Sequence, residues 1–184
     1  MPNNEDTLTP DEITRLTALL KKLEPGFVPY PIFEQFTRII ALPIIEFIPL
    51  RLDGGTAEVL LLERPQSDTL FAGMLHTPGT VIRATDVRTN ANDNWKAFDR
   101  ILNEELEGAK TSNPYYVGSI FHASKRGAEQ AQLYWVEVLG APKVGAFYPV
   151  DSLPDTLIES QKDFIMAAVQ SFKAAKHAEH TNGI

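Results

Sequence analysis

Two adjacent glutamates, Glu104 and Glu105, follow Arg100 within residues 95–108 of the sequence. Arg100 and Glu104 are four positions apart, so on a helix they share one face and can form an ion pair that orients the carboxylate. Glu105 lies about 100° further round such a helix, and both acids can therefore offer oxygen atoms to one site. Carboxylate oxygens are preferred ligands of Mg²⁺ and Mn²⁺. The spacing indicates a divalent-cation site that would act on a diphosphate, although glutamate pairs on helices more often form a solvated surface.

The apolar residues of the same segment predict how this helix is anchored. They recur at the spacing of one helical face, which would pack against a sheet. They are Trp95, Phe98, Ile101, Leu102 and Leu106. We expect Ile101 to belong to the core rather than to the site, because it lies at the edge of this stripe. Upstream, residues 74–81 contain His-Thr-Pro-Gly-Thr and predict an extended segment that is interrupted at Pro78 and Gly79.

Residues 1–42 predict a helical extension. Thr9 and Glu12 are spaced as a capping box that starts a first helix, and Pro25 follows the apolar stripe of this helix and ends it. A second helix is predicted at residues 31–41, where several apolar side chains recur. The extension would either pack on the core or supply the surface of a homodimer.

From residue 43 the pattern changes to that of a sheet. Two strands are predicted at residues 44–52 and 56–63, and Gly54 and Gly55 between them are typical of a hairpin turn. Further strands are predicted at residues 115–123, 131–139 and 144–150, a polar loop at 84–94 and a final helix at 156–177. The economical packing is an α/β fold whose mixed sheet lies between the two later helices. The predicted domain covers residues 43–177, followed by a flexible tail at 178–184.

The composition is that of a soluble protein of one domain, with 184 residues, 43% of them hydrophobic and 22% charged. The net charge of −7 and the pI of about 5.1 argue against binding of duplex nucleic acid, which normally needs a basic face. The chain has no cysteine, which excludes disulfides, thiolate catalysis and zinc sites built on sulfur. No apolar run is long enough to span a bilayer and no signal peptide is visible, so we expect a cytoplasmic protein.

The order of the elements resembles that of the Nudix hydrolases, whose fold is an α/β/α sandwich, and the resemblance covers about residues 44–172. Pro78, Gly79 and Thr80 are similar to the Pro-Gly-Gly that opens the sequence box of the family. The residues that match the second half of the box are Arg100, Leu102, Glu104 and Glu105.

The box is degenerate at two acidic positions. Asn92 stands where its first glutamate is expected, and Ile101 replaces the glutamate that follows the arginine. The GDP-mannose mannosyl hydrolases, one branch of the superfamily, also have an aliphatic residue after the arginine. Residues 97–101, with Glu105 and Leu106, are similar to the pattern of that branch.

The resemblance implies a metal-dependent hydrolase of a nucleoside diphosphate linked to another moiety, with a nucleotide sugar as one such substrate. Glu104, Glu105 and the backbone around Thr80 would hold Mg²⁺ or Mn²⁺. Glu105 and Arg100 would have catalytic roles, the arginine by orienting the acids. His122 would be the catalytic base that the mannosyl hydrolases take from a loop, although a histidine on a strand is more often structural.

Two more residues are predicted to contact the small-molecule nucleotide. Arg64 closes a strand where related proteins meet substrate phosphate, and His76 precedes the Pro-Gly loop; a surface arginine and a half-buried structural histidine are the alternatives. For the whole chain, the loss of two acids from the box favours an inactive nucleotide-binding or regulatory module of the same fold, whereas the retention of Arg100 with both later acids favours the enzyme. A third hypothesis, assembly through the leading helices, remains because fold does not decide function.

Overall fold

The computed structural model describes residues 8–86 and 96–182. The helices are α1 (Pro10–Leu20), α2 (Tyr30–Ile39), α3 (Lys96–Arg100) and α4 (Gln161–Asn182). A π-helical turn, Ile101–Glu105, continues α3, and 3₁₀ turns occupy Ala84–Asp86 and Val150–Ser152. The strands are β1 (Leu42–Asp53), β2 (Thr56–Glu63), β3 (Leu75–His76), β4 (Gly79–Val81), β5 (Tyr115–Ser124), β6 (Gly127–Glu137) and β7 (Ala146–Pro149).

The strands form a mixed sheet in the order β3-β2-β1-β6-β5, with β4 paired to β1 and β7 paired to β2. Strands β1 and β6 are parallel, and the other pairs are antiparallel. The side chains of β1 alternate between two cores, because successive residues of a strand point to opposite faces. Ile44 and Ile48 pack with Phe164 of α4, whereas Ile45 and Phe47 pack with the α3 side. The predicted α/β sandwich with a mixed sheet is confirmed.

Local signals predicted several boundaries well. Strand β2 has the predicted ends, and the turn before it places Gly54 and Gly55 at φ +55° and +88°, the left-handed conformations that favour glycine. The prediction for the last helix was wrong at both ends, since α4 begins at residue 161 and runs to 182. The residues before it form turns around an isolated bridge at Leu157. There the Leu75 N–H donates to the Thr156 carbonyl, and the Ile158 N–H donates to the Leu75 carbonyl.

Several predictions fall on residues outside the described part of the chain. They concern Trp95 of the apolar stripe, Asn92 of the box and most of the polar loop at residues 84–94. The described start of that loop is the 3₁₀ turn Ala84–Asp86.

The extension contains the two predicted helices, and they differ in how they pack. The capping box of α1 is present, with both hydrogen bonds between Thr9 and Glu12. No residue of α1 is buried. In α2, Phe33 packs against the core and Thr37 is buried, and the backbone of Thr37 lies close over Gly127 of β6. Within the described residues, no helix is long and apolar enough to cross a membrane.

Candidate functional site

The acidic helix meets the Pro-Gly loop through Glu105. The π-helical turn is closed by a hydrogen bond of 3.0 Å from the Leu106 N–H to the Ile101 carbonyl, and both of these side chains are fully buried. Glu105 is therefore held against the sheet, where its Oε2 accepts a hydrogen bond of 3.1 Å from the Gly79 N–H. Glu104, the preceding residue, is exposed. The two adjacent acids thus have different environments, and only Glu105 contacts the loop.

A second acid, Glu46 of β1, lies on the other side of Gly79. A Cβ atom at Gly79 would come within 2.5 Å of the Glu46 carboxyl carbon, so only glycine allows this close approach. Glu46 is buried, and its Oε2 accepts a hydrogen bond of 3.1 Å from Thr77 Oγ1. Burial raises the pKa of Glu46 to about 8 and that of Glu105 to about 7. Each acid thus retains its proton to a higher pH than an exposed glutamate does.

Arg100 does not form the predicted ion pair with Glu104. Its guanidinium pairs with Asp86, to which Nη1 and Nη2 both donate, and Nη2 also donates to the Val81 carbonyl over 3.1 Å. Asp86 is buried, which alone would raise its pKa, but hydrogen bonds from Arg100 and from the Arg83 N–H hold it below the ordinary value. A buried carboxylate needs a partner more than an exposed one does. Arg100 therefore fastens the helix to the segment after β4 instead of orienting Glu104.

A cleft of about 660 Å³ opens beside these acids. One part of its wall comes from residues 23–28 of the extension and from Phe33, and another from β1 and β4. Three arginines line it, namely Arg64, Arg83 and Arg126. Glu46, Gly79 and Thr80 line the same cleft. The structure thus brings predicted Arg64 and Thr80 to one cavity; their roles in binding stay predictions.

His122, the predicted catalytic base, is not among the residues that line the cleft. It stands on β5 with its ring against Phe164 of α4, the centroids 4.9 Å apart. Its Nε2 is 3.4 Å from an oxygen of buried Glu129, and the other oxygen of that carboxylate is 3.0 Å from Arg126 Nε. The position is that of a histidine packed beside an ion pair, and contact with a ligand in the cleft would reach Arg126 instead.

His76 is also not among the residues that line the cleft. It is buried, and its Nδ1 donates a hydrogen bond of 2.7 Å to the Thr77 carbonyl. Burial, with the charge of Arg64 nearby, lowers the pKa of His76 to about 4, so the ring is neutral at physiological pH. The next residue connects to α4, since the Thr77 N–H donates to Gln161 Oε1 over 2.8 Å. His76 therefore belongs to the packing below the Pro-Gly loop.

The described residues contain no group of three acidic or histidine side chains that could hold one metal ion. Glu104 and Glu105 offer two carboxylates at most, one of them already bonded to a backbone N–H. Asp86 is occupied by Arg100. This donor set does not fit a divalent cation held by protein ligands alone, since Mg²⁺ takes six oxygen ligands and keeps water or substrate phosphates among them.

One residue of the site that no motif predicted, Glu46, carries a signal in the sequence. Glu46 is an acid within an apolar strand, flanked by Ile45 and Phe47, and a charged residue in such a run is typical of a functional or paired position. Arg83 and Arg126 have no comparable signal, because Arg83 follows the end of a short strand and Arg126 lies in a polar turn, and arginine is common at both kinds of position. Only the pairing of β1 with β4 and β6 brings them to the cleft.

No family model matches the chain, and no curated protein matches it either. Several solved structures do match the chain. The C-terminal domain of mouse MUTYH, in complex with human PCNA, is 14% identical over 73% of this chain and 91% of that chain, with a TM-score of 0.53. The Nudix domain of NrtR from Shewanella oneidensis, in complex with ADP ribose, is 16% identical over 85% and 97%, with a TM-score of 0.51. A MutT/Nudix family protein from Listeria innocua is 14% identical over 74% and 97%, with a TM-score of 0.50. The chain therefore has a Nudix-like fold.

Proposed function

We propose that this protein binds a nucleoside diphosphate derivative in the arginine-lined cleft. The observation that carries the proposal is the meeting of Arg64, Arg83 and Arg126 in one cavity of about 660 Å³, in a chain whose net charge is −7. A cavity of this size is within the range of small-molecule sites. Clustering of cations in an otherwise acidic protein selects an anionic ligand, because it concentrates favourable charge at one place.

The chemistry of the arginines matches phosphate. A guanidinium presents a planar fork of N–H donors that binds phosphate oxygens in pairs, and such charge-assisted hydrogen bonds are among the stronger ones. The guanidinium of Arg64 makes one long ion pair, 3.9 Å from Nη1 to Asp68 Oδ2, and its buried Nε has no hydrogen-bond partner among the described residues. The NrtR domain of similar fold is in complex with ADP ribose, which is a derivative of this chemical class.

The binding proposal is tested by calorimetry with ADP ribose. We expect Arg83→Ala to weaken binding by roughly 10- to 100-fold, because a charge-assisted hydrogen bond contributes about 1.5–3 kcal/mol. Arg83 is the best choice because it is exposed and its side chain has no ion pair in the described structure. Arg15→Ala, on α1, removes the same charge outside the cleft and should leave the affinity unchanged.

Two results would contradict the proposal. One is equal binding of ADP ribose by the wild-type protein and the Arg83→Ala variant. The other is equal affinity for ADP ribose and for adenosine, which has no phosphate, because the arginines would then contribute nothing.

Hydrolysis of the bound nucleotide is the second candidate function, and the position of Glu105 favours it. Glu105 contacts Gly79, and Gly79 lines the cleft, so a carboxylate lies next to the place where the phosphates would bind. Nudix hydrolases generally use divalent metal ions. Glu104 and Glu105 would hold the ion together with the phosphates of the substrate, and the ion would stabilise charge on the leaving phosphate.

The test of hydrolysis has two parts. Titration of Mn²⁺ in the presence of ADP ribose should show tighter binding by the wild-type protein than by the Glu104→Gln, Glu105→Gln double variant. A screen of nucleotide sugars and other nucleoside diphosphate derivatives with Mg²⁺ or Mn²⁺ should then show turnover by the wild type alone. Binding of ADP ribose without turnover of any compound would leave the protein a nucleotide-binding module.

A further inference from the structure

The extension contributes an apolar wall to the cleft. Leu23, Val28 and Phe33 line it together with Phe27. Phe33 is packed against the core, whereas Phe27 is 73% exposed. A phosphate group alone gains nothing from such a wall, because its oxygens require donors. The wall instead matches a ligand that carries a planar apolar part beside its phosphates.

The backbone next to Phe27 is held in place by its neighbours. Gly26 has φ +96°, and a Cβ atom there would lie 2.7 Å from Thr85 Oγ1. Thr85 belongs to the 3₁₀ turn Ala84–Asp86, which the buried pair of Asp86 and Arg100 anchors to the helix. The chain before Phe27 is thus packed on a turn that this ion pair anchors. The backbone at Gly26, next to Phe27, therefore lies against this turn.

We propose that Phe27 stacks on the aromatic base of the nucleotide, while the arginines of the cleft bind its phosphates. The inference rests on the proposed function. An exposed aromatic ring beside a cationic cavity gives two kinds of recognition at one site. Stacking removes one apolar face of the phenyl ring and one face of the base from water. Because every base has an aromatic face, Phe27 favours nucleotides over other phosphates without selecting one base.

The experiment compares two ligands that share the phosphates and differ in the base. The probes are inorganic pyrophosphate and whichever of ADP, GDP, CDP and UDP the wild-type protein binds most tightly. We expect Phe27→Ala to weaken binding of the nucleoside diphosphate by roughly 5- to 150-fold, which corresponds to the usual contribution of one stacked base. Binding of pyrophosphate should stay within about twofold of the wild type, because the arginines are unchanged.

Two variants control for other causes. Phe121→Ala removes an aromatic ring of similar exposure, 70%, from β5 outside the cleft, and should leave the binding of both probes unchanged. Phe27→Trp retains a planar ring and should retain the affinity for the nucleotide. The fluorescence of the new indole should also be quenched by the nucleoside diphosphate and not by pyrophosphate.

The possible failures are distinguishable. If Phe27→Ala binds the nucleotide as tightly as the wild type does, the stacking inference is wrong. It is also wrong if the variant loses as much affinity for pyrophosphate as for the nucleotide. In both cases the phosphate site stands. If the wild-type protein binds neither probe, the proposed function fails and the inference fails with it.

Discussion

The ionisable residues around Gly79 lie in two kinds of environment. Asp86 and Arg100 form a buried pair in which each charge offsets the cost of burying the other. Glu46 and Glu105 have no ion pair within the described residues, and burial raises the pKa of both. Buried acids without a cation reduce their cost by keeping a proton. The same small region therefore contains a fixed ion pair and two acids whose charge depends on pH.

Replacement of Glu46 by glutamine should change how stability depends on pH. The unfolded chain releases the Glu46 proton near pH 4.5, whereas the folded protein retains it to about 8. The free energy of unfolding of the wild type should therefore fall relative to Glu46→Gln as pH rises through this window. Below the window both states are protonated, and above it both are ionised, so the difference levels off.

Urea denaturation at about pH 5 and about pH 9 measures the effect of Glu46. Glu63→Gln, an exposed acid on β2, is the matched control and should show no such trend. If the free energies of unfolding of the wild type and of Glu46→Gln differ by the same amount at both pH values, Glu46 is ionised at both.

Ile101 is core and not site, as its place in the helical stripe predicted, since its side chain is fully buried. Ile101→Glu would place an acid where the sequence box of the Nudix hydrolases has one, but it would put a charge in an apolar cluster with Ala97 and Phe47. We expect a loss of several kcal/mol in the free energy of unfolding. Asn103→Glu adds the same charge at an exposed position of the same helix and should be nearly neutral. A stable Ile101→Glu variant with new diphosphate-cleaving activity would overturn this assignment.

Strand β4 joins the sheet to the acidic helix. It pairs with β1 through three residues, and its first residue, Gly79, also donates to Glu105. The carbonyl of its last residue, Val81, accepts from Arg100. A short strand with these contacts to the helix fixes the distance between Glu46 and Glu105 better than a free loop would.

Gly79→Ala should disrupt this junction. The new methyl group would meet the Glu46 carboxyl at 2.5 Å, so either β4 or the buried side chain must move, at a cost of about 1–3 kcal/mol. Gly118→Ala is the matched control, because it is also a strand glycine and a Cβ there has open space. Thermal denaturation should show a lower Tm for Gly79→Ala alone. Equal Tm values for the two variants would mean that the close approach of Gly79 to Glu46 does not require a glycine.

The helical extension has one part that packs against the sheet and one part that does not. Helix α2 contacts β6 and contributes buried surface. Helix α1 presents Ile13, Leu16 and Leu19 to solvent, although its cap is complete. Its stripe is the surface predicted to serve a homodimer, and that prediction stays open.

Deletion of residues 1–22 should leave the isolated fold nearly as stable as before. No residue of α1 is buried, so its loss should shift Tm by less than about 2 °C. Deletion of residues 1–41 also removes α2 and the contact of Thr37 with Gly127, and should lower Tm by several degrees. A large loss of stability in the shorter deletion would show that the apolar face of α1 is buried in solution, as it would be in a homodimer.

The features that depend on near neighbours along the chain could be predicted from the amino-acid sequence. The capping box of α1, the hairpin at Gly54 and Gly55, the strand β2 and the burial of Ile101 follow from turn residues and from periodicity. These signals act within a few residues, so a single sequence carries them. Together with the order of the elements, they were enough to predict the α/β sandwich.

Which side chains meet at the site depends on the packing of distant elements, and local patterns did not predict it. Asp86 is 14 positions from Arg100 and competes with Glu104, the nearer acid, which local spacing favoured. Arg100 pairs with Asp86 because Asp86 is buried, and an unpaired carboxylate is costly only where water is excluded. The cleft likewise depends on the extension, β1, β4 and the β5–β6 hairpin meeting in space. Such distant pairings leave no local pattern, because they arise from how whole elements pack.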